Sequence, residues 1–284
     1  MAAKLHLPPI LPGLSAIAAD YDALVCDVWG VLHDGTAARL EATAALQRFR
    51  AEHGPVVLLS NAPRPKRDLE AQFRRFGVPL DCYDAIVTSG IATRIDLARR
   101  CKDRRLRMFH LGPERDRGIF EGLDIAASAI EDAEIVLNSG LFDDDRETPD
   151  DYRERLAQMK ARGLPMLCAN PDRVVQRGGR LIWCAGALAS EYEKLGGTVI
   201  YYGKPMPAIY DIVRAEVPKA RRWLAIGDGL HTDIKGANGA GIDALFIADG
   251  IHGEEIGAVT PVRMAALFAE AGVSARAAMP RLVW

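Results

Sequence analysis

Residues 23–35 read ALVCDVWGVLHDG, and this stretch decides the fold. The run from Ala23 to Val28 is short and almost entirely apolar, which is typical of a strand that is buried on both faces. Its one charged residue, Asp27, stands near the end of the run, and Gly30 follows soon after. In an open parallel α/β sheet, ligands bind beyond the carboxyl ends of the strands, so Asp27 is well placed for chemistry. Trp29 is unexpected there, because a small or acidic residue suits such a tight loop better.

Alternating strands and helices surround this stretch and predict an α/β fold with a doubly wound parallel sheet. Outside the middle of the chain, strands are predicted at 56–59, 85–87, 223–226 and 242–247, and helices at 40–52, 65–76, 208–216 and 261–271. The middle of the chain alternates as well, with strands predicted at 107–111, 134–137, 165–169 and 199–202, helices at 149–161 and 186–195, and a small hairpin at 177–183. Residues 1–19 are predicted to form an arm that ends in a short helix.

Composition limits the class of protein. The formal net charge is -2 and no basic stripe occurs, which argues against nucleic acid as a partner. No apolar run approaches the roughly 18 residues that a membrane span needs. The five cysteines are widely spread and form no CxxC pair, which favours a reduced, cytoplasmic protein. The 284 residues allow one large domain or two of medium size.

Four predicted strand ends carry polar side chains that suit phosphate chemistry: Asp27, Ser60 with Asn61, Lys204, and Asp228 with Asp233. If these strands are parallel neighbours, the side chains converge on one crevice. Carboxylates that lie close together repel one another unless a cation sits among them, and hard oxygen ligands suit Mg²⁺. A lysine and a hydroxyl beside such a metal supply the charge neutralisation that phosphoryl transfer requires, and an Asp can attack phosphorus.

These motifs together resemble the haloacid dehalogenase (HAD) superfamily, and specifically its type IIA capped phosphatases. The first motif of that family, usually DxDGVL, corresponds to 27–32, DVWGVL. The second corresponds to Ser60–Asn61 in LLSNAP, the third to Gly203–Lys204–Pro205, and the fourth to GDGLHTD at 227–233. Each motif alone is weak, but four in the right order at predicted strand ends are specific.

The resemblance also implies a division into domains. It implies a HAD core domain over 1–89 and 199–284 and an inserted α/β cap over 90–198, which supplies substrate specificity and excludes water. The segment Asn170–Pro171–Asp172 is similar to a conserved segment of such caps, so Asn170 and Asp172 are candidates for lining the site, as is the loop at 138–139. Relatives of this subclass often pair through the cap, which makes a homodimer an expectation.

The resemblance assigns a role to each motif residue. Asp27 is expected to be the nucleophile and a Mg²⁺ ligand, with Asp228 and Asp233 as further metal ligands. Ser60 and the backbone N–H of Asn61 are expected to bind the phosphoryl group, and Lys204 to neutralise it and hold Asp27. The implied activity is Mg²⁺-dependent hydrolysis of a small phosphorylated metabolite through an aspartyl-phosphate.

Trp29 departs from the family pattern. The family residue at this position gives its backbone carbonyl to the metal and its side-chain carboxylate to proton transfer. Trp29 has the carbonyl but no proton donor, and general acid–base help is typically worth about 10²–10⁴ in rate. Three alternatives follow: substrates with good leaving groups such as aryl or acyl phosphates, replacement of the acid by His33 or Asp34, or slow hydrolysis of the aspartyl-phosphate.

The third alternative keeps a rival function open, namely a low-turnover phosphotransferase or a non-catalytic protein that binds a phosphorylated ligand. A dinucleotide-dependent oxidoreductase is a weaker rival, because no GxGxxG follows the first strand. The acidic run 143–145 is interpreted as a solvated loop rather than as a second metal site, and His33 and Asp34 are more simply loop residues than catalysts.

Overall fold

The computed structural model describes residues 7–177, 180–250 and 256–284. The strands of the described residues are β1 Ala23–Asp27, β2 Val56–Ser60, β3 Ala85–Thr88, β4 Leu106–Leu111, β5 Ile125–Ala127, β6 Ile135–Asn138, β7 Met166–Cys168, β8 Val174–Arg177, β9 Arg180–Trp183, β10 Val199–Tyr201, β11 Trp223–Gly227, β12 Asp243–Ile247 and β13 Ala277–Met279. The α-helices are α1 Leu40–Glu52, α2 Lys66–Phe76, α3 Ser89–Arg100, α4 Arg153–Ala161, α5 Ala185–Lys194, α6 Pro207–Glu216, α7 Lys235–Gly239 and α8 Pro261–Ala271.

Shorter helical turns complete the described chain. Two 3₁₀ turns, Leu14–Ala16 and Ala18–Asp20, form the end of the N-terminal arm, whose residues 1–6 lie outside the described residues. Two more 3₁₀ turns are Glu114–Ile119 and Pro149–Tyr152, and a π-type turn covers Leu230–Ile234. The predicted helix at 149–161 is therefore a 3₁₀ turn followed by α4, and a Thr148–Asp151 capping box begins it.

The chain divides into two compact units. The first comprises 7–60, 70–87, 210–250 and 256–284, and the second comprises 61–69, 88–177 and 180–209. The predicted cap, 90–198, lies within the second unit, which also takes in residues on either side of it. The precise boundaries of the two domains stay a prediction.

The six-stranded first sheet has the order β13-β12-β11-β1-β2-β3. Strands β13, β12, β11, β1 and β2 run parallel to their neighbours. Strands β2 and β3 follow on one side of β1, and the later strands β11, β12 and β13 follow one another on its other side. The order in which the chain adds strands to the sheet therefore reverses between β1 and β11. This order confirms the predicted doubly wound parallel sheet, and such a reversal point is where α/β sheets bind ligands.

The five-stranded second sheet has the order β10-β7-β6-β4-β5, and all its pairs are parallel. Its core includes the face of the predicted helix at 149–161, since Tyr152, Leu156 and Met159 are buried in one apolar cluster. The predicted hairpin is the antiparallel pair β8–β9, and its Gly-Gly turn lies outside the described residues. No helix among the described residues is long and apolar enough to cross a membrane.

Candidate active site

Three carboxylates meet at the carboxyl edge of the first sheet. Asp27 is the last residue of β1, Asp228 follows β11 directly, and Asp233 lies in the π-type turn. Cys26 pairs with Ile226 in register, so the two strands end side by side. Each Asp offers a carboxylate oxygen, these oxygens lie within 4.8 Å of one another, and all three side chains are buried. The structure thus brings the predicted metal ligands together at the reversal point of the sheet.

Glycines allow the backbone to close on these carboxylates. A Cβ at Gly30 or at Gly250 would collide with the carboxylate of Asp228, and a Cβ at Gly227 would collide with the side chain of Asp233. Gly30 also has a φ of 86°, a conformation that residues with a Cβ rarely adopt. The glycine in the first motif therefore serves both the turn and the close approach of the loop to Asp228.

The turn around Asp233 fixes the orientation of its carboxylate. Its Oδ2 accepts hydrogen bonds from the backbone N–H of Gly229 at 3.1 Å and from the hydroxyl of Thr232 at 3.3 Å. These donors lie in the same GDGLHTD segment, so the fourth motif preorganises its own acidic residue. Such positioning of a ligand by neighbouring donors is common around metal sites.

This donor set fits Mg²⁺. Three buried carboxylates within 4.8 Å of one another repel in a water-poor environment, and hard carboxylate oxygens are the ligands that Mg²⁺ prefers. Within the described residues, this trio is the one group of three or more acidic, His or Cys side chains arranged to hold an ion. The role of the trio as metal ligands stays a prediction, as does the role of the Trp29 carbonyl.

The Trp29 side chain packs on its own loop. A Cβ at Gly35 would lie 3.0 Å from Cη2 and 3.3 Å from Cε2 of the indole, so the ring rests against the backbone of this glycine. The indole and the imidazole of His33 form an edge-on pair with centroids 5.0 Å apart. Trp29 thus contributes an apolar surface where the family pattern has a carboxylate.

Neither of the two neighbours offered as a replacement acid carries a suitable proton. His33 is fully buried, its Nδ1 accepts the N–H of Gly35 at 3.1 Å, and burial lowers its pKa to about 4. The hydrogen bond from the Thr36 hydroxyl, followed by N–H bonds from Ala37 and Thr36, lowers the pKa of Asp34 to about 2. Both groups are therefore deprotonated near neutral pH, which argues against the second alternative for Trp29.

Ser60 and Asn61 follow the strand next to β1. Leu59 pairs in register with Asp27, so the buried Ser60 lies one residue beyond Asp27 at the same edge of the sheet. Asn61 begins the second unit, and its side chain holds the backbone of Lys204. The amide Oδ1 accepts the N–H of Lys204 at 2.8 Å, and Nδ2 donates to its carbonyl at 3.2 Å. The second and third motifs are thus joined directly.

Asp172 also contacts the second motif. Its Oδ1 accepts a hydrogen bond from Nδ2 of Asn61 at 2.8 Å. The neighbouring Asn170 accepts the N–H of Asp172 at 3.0 Å, which stabilises the turn. Both residues were expected to line the site, but the pairing of Asp172 with the Asn61 amide was not foreseen.

Ser89 was not among the predicted site residues, and it is fully buried. Its hydroxyl lies 2.7 Å from the carbonyl of Asn61 and 3.0 Å from that of Ala62. A buried hydroxyl at this place anchors the loop that follows Ser60. The only local signal was its position two residues after the strand predicted at 85–87, which by itself does not distinguish it from an ordinary helix start.

The remaining cap candidates have partners within the second unit. The Ser139 hydroxyl bonds Nε2 of His110 at 2.9 Å, and Nδ2 of Asn138 donates to the carbonyl of Ala185 at 2.9 Å. In the acidic run, Asp144 pairs with Arg115 at 2.5 Å and with Arg177 at 3.2 Å. Paired carboxylates of this kind agree with the interpretation of 143–145 as a loop.

Comparisons with known proteins agree with this geometry. The family model described as haloacid dehalogenase-like hydrolase matches residues 24–126, and the one described as HAD-hydrolase-like matches residues 201–271. A hydrolase of the haloacid dehalogenase-like family from Brucella suis 1330 has 42% identity and a TM-score of 0.85, with 96% of this chain and 100% of that chain covered.

Two further relatives are named phosphatases. Ribonucleotide monophosphatase NagD of Escherichia coli (strain K12) is 26% identical over 234 residues, which cover 80% of this chain and 88% of NagD. The glycerol phosphate phosphatase of Mycobacterium tuberculosis, solved in complex with magnesium, shares the fold at 23% identity and a TM-score of 0.65, with 83% of this chain and 70% of that chain covered. The expectation of an enzyme of this superfamily is confirmed, and the chain belongs to the haloacid dehalogenase-like hydrolases.

Proposed function

We propose that this chain is a Mg²⁺-dependent phosphatase that hydrolyses a small phosphorylated metabolite through an aspartyl-phosphate on Asp27. The observation that carries the proposal is the convergence of Asp27, Asp228 and Asp233, all buried, at the reversal point of a doubly wound sheet. The named activities of the phosphatase relatives support the reaction class.

Each residue has a defined part in this reaction. A carboxylate oxygen of Asp27 attacks phosphorus, the bond from phosphorus to the leaving oxygen breaks, and an acyl phosphate forms on Asp27. Water then attacks phosphorus, releases inorganic phosphate and restores the carboxylate. Ser60 and the N–H of Asn61 hydrogen-bond the phosphoryl oxygens, and the ammonium of Lys204 neutralises their charge.

Asp27, Asp228, Asp233 and the carbonyl of Trp29 would hold the cation. When bound, Mg²⁺ neutralises charge on the phosphoryl oxygens and on the three carboxylates. The relative from Mycobacterium tuberculosis that was solved in complex with magnesium supports this choice of metal.

Trp29 directs the proposal toward substrates with good leaving groups. A leaving alkoxide needs a proton, whereas an aryl oxide or a carboxylate departs more easily without one. Because the indole N–H of Trp29 is too weak an acid to protonate a leaving group and neither His33 nor Asp34 replaces the missing acid, we infer a preference for aryl and acyl phosphates. The cap over 90–198 is proposed to select among such substrates and to exclude water.

A second candidate function rests on the same absence of an acid or base at position 29. Without a general base at position 29, water attacks the aspartyl-phosphate slowly, so the phosphoryl group can pass to another acceptor or the site can act as a binding module. The named activities of the phosphatase relatives favour the hydrolase over this alternative.

The deciding experiment is a phosphate-release screen of the Mg²⁺-loaded protein against alkyl, aryl and acyl phosphates. Wild type is expected to release phosphate from aryl or acyl esters, and Asp27→Asn to lose at least about 10³-fold in kcat. If no phosphate is released from any of these three classes of ester, the proposed hydrolase activity is wrong. Transient labelling of Asp27 without release would favour the phosphotransferase.

A further inference from the structure

Asn61 carries a side-chain amide that binds the Lys204 backbone through both of its ends and binds Asp172 through its nitrogen. Its Nδ2 donates to Oδ1 of Asp172 at 2.8 Å, and its Oδ1 accepts the backbone N–H of Lys204 at 2.8 Å. A carboxylate only accepts and a backbone N–H only donates, so these two partners fix which end of the amide is nitrogen. Asn61 is 3% exposed and Lys204 is 3% exposed, so little water competes for these bonds.

The Asp172 end is held rigidly. The N–H of Asp172 donates to Oδ1 of Asn170 at 3.0 Å, and its carbonyl accepts the N–H of Gly186 at 3.0 Å. A Cβ at Gly186 would collide with the carbonyl of Pro171 and lie 2.6 Å from that of Asp172. The first turn of α5 therefore packs directly on this turn and fixes the place of the carboxylate.

The Lys204 end is fitted to the amide just as closely. Lys204 follows β10, whose Tyr201 pairs in register with Cys168 of β7, and β7 leads into the turn that holds Asp172. Gly203 has a φ of 102°, and a Cβ there would lie 2.5 Å from Oδ1 of Asn61. Only glycine therefore allows the amide to reach the N–H of Lys204.

A carboxylate at one end of a chain of hydrogen bonds strengthens the bond at the other end. The charge-assisted bond from Asn61 to Asp172 polarises the amide and makes its Oδ1 a better acceptor. The bond from the Lys204 N–H to that oxygen is strengthened in turn. The charge on Asp172 thus acts on the Lys204 backbone across one intervening side chain.

We propose that Asp172 is a positioning residue of the phosphate site, which orients the Asn61 amide and thereby fixes the backbone from which the Lys204 ammonium extends. This inference rests on the proposed function for its catalytic consequence. The hydrogen-bond chain from Asp172 through the Asn61 amide to the Lys204 backbone, called the relay below, is a property of the fold and can be measured without turnover. Asp172 thus serves Lys204 through Asn61 rather than by contact with a substrate.

The direct test is hydrogen exchange of the Lys204 backbone amide, measured by NMR or by mass spectrometry of the full chain. Asp172→Ala is expected to speed this exchange at least about 10-fold, because Nδ2 of Asn61 keeps only its 3.2 Å bond to the Lys204 carbonyl and the amide is held less firmly. Asp172→Asn keeps an oxygen acceptor for Nδ2 and is expected to retain most of the protection. Asp151→Ala, which removes a capping carboxylate elsewhere in the second unit, is the control and should leave the Lys204 amide unchanged.

The kinetic test uses inorganic phosphate and 4-nitrophenyl phosphate with the Mg²⁺-loaded enzyme. Asp172→Ala should weaken inhibition by inorganic phosphate about 10-fold and raise KM, and Asp172→Asn should largely restore both quantities. The double variant Asp172→Ala with Asn61→Ala should show no weaker phosphate inhibition and no higher KM than Asn61→Ala alone. Additive losses, or unchanged Lys204 exchange in Asp172→Ala, would overturn the relay. A wild type that neither hydrolyses nor binds phosphate while Asp172→Ala still speeds exchange would overturn the proposed function and leave the relay standing.

Discussion

The indole of Trp29 lies edge-on to the imidazole of His33, with ring centroids 5.0 Å apart. His33 in turn lies against Phe76 at 5.0 Å and Phe73 at 6.3 Å, so the loop after β1 is fixed by an aromatic cluster. Trp29 follows the proposed nucleophile by two residues. Its side chain is therefore engaged in packing the loop, and the loop gains rigidity where the family pattern supplies a proton.

Restoring a carboxylate at position 29 should change the preference for leaving groups. We expect Trp29→Asp to raise kcat/KM for alkyl phosphates relative to aryl phosphates at least about 10-fold, within the range that general acid help provides. The loss of ring packing on Gly35 and His33 should lower the free energy of unfolding by about 1–3 kcal/mol. Steady-state kinetics on matched alkyl and aryl esters measure the ratio of the two kcat/KM values, and urea unfolding measures the loss of stability.

Trp29→Phe is the matched control for this change, because it keeps an aromatic ring and adds no acid. It should leave the ratio of alkyl to aryl activity near that of wild type. An equal fall of both activities in Trp29→Asp, with no change of ratio, would contradict the assignment of the missing acid to position 29.

Magnesium should stabilise the folded protein through the carboxylate trio. At about 100 times its Kd, a ligand that binds only the folded state adds about 2.7 kcal/mol, which corresponds to a rise in Tm of roughly 5 °C for a chain of this size. Asp228→Asn should lose this rise, and in a chelator it should be at least as stable as wild type, because one of three clustered charges is gone.

Differential scanning calorimetry with Mg²⁺ and with a chelator makes the measurement. Asp145→Asn, which changes an exposed acid of the second unit, is the control and should keep the full rise. An undiminished rise in Asp228→Asn would show that the trio is not the magnesium site.

His110 should make stability fall on acidification. Burial, followed by the charge of Arg117, lowers its pKa to about 4 in the folded protein, against about 6.5 in the unfolded chain. The unfolded chain therefore binds more protons between pH 6.5 and pH 4. The neutral ring makes its full contribution to the free energy of unfolding above pH 6.5. This contribution, up to about 3 kcal/mol, is lost as the pH falls through this window.

Urea unfolding between pH 4.5 and 7.5 measures this dependence. His110→Gln, which can still donate to the Ser139 hydroxyl, should make the dependence on pH shallower, and the same change at the exposed His231 is the control. Equal slopes in wild type and His110→Gln would contradict the assignment.

Pairing of two copies through the cap stays a prediction, and the β8–β9 hairpin is where we propose to test it. Leu181 and Trp183 lie on one face of this hairpin and are 67% and 38% exposed, whereas Ile182 on the other face is buried. If the hairpin forms the interface, Leu181→Glu should convert a dimer to a monomer in light scattering. Leu195→Glu, which changes an exposed leucine outside the hairpin, should not. A monomeric wild type would contradict the expectation.

Much of the fold was predictable because its signals are local. The bounds of α1 and α8 agree with the predicted 40–52 and 261–271, since their apolar periodicity and flanking residues specify them within one segment. Strands β5 and β13 were missed. Ile125–Ala127 is only half-buried, and Ala277–Met279 consists of residues with little strand preference, so both form because a neighbouring strand offers its edge.

For the site, the sequence by itself determined which residues meet at the first sheet. Asp27 and Asp228 each end a buried run, and parallel strands bring such ends to one edge. The sequence also determined that position 29 has no acid. These conclusions needed only residue type, spacing and the regular geometry of a parallel sheet.

Tertiary structure alone decided how the remaining residues are used. The Asn61 amide joins Asp172 and Lys204, which are 111 and 143 residues away along the chain, and no local pattern encodes such a contact. The packing of Trp29 on Gly35 and His33 likewise depends on the path of the loop. Hydrogen bonds and ring contacts between distant segments follow from how the strands are ordered in space, and that order is set by the packing of the whole core.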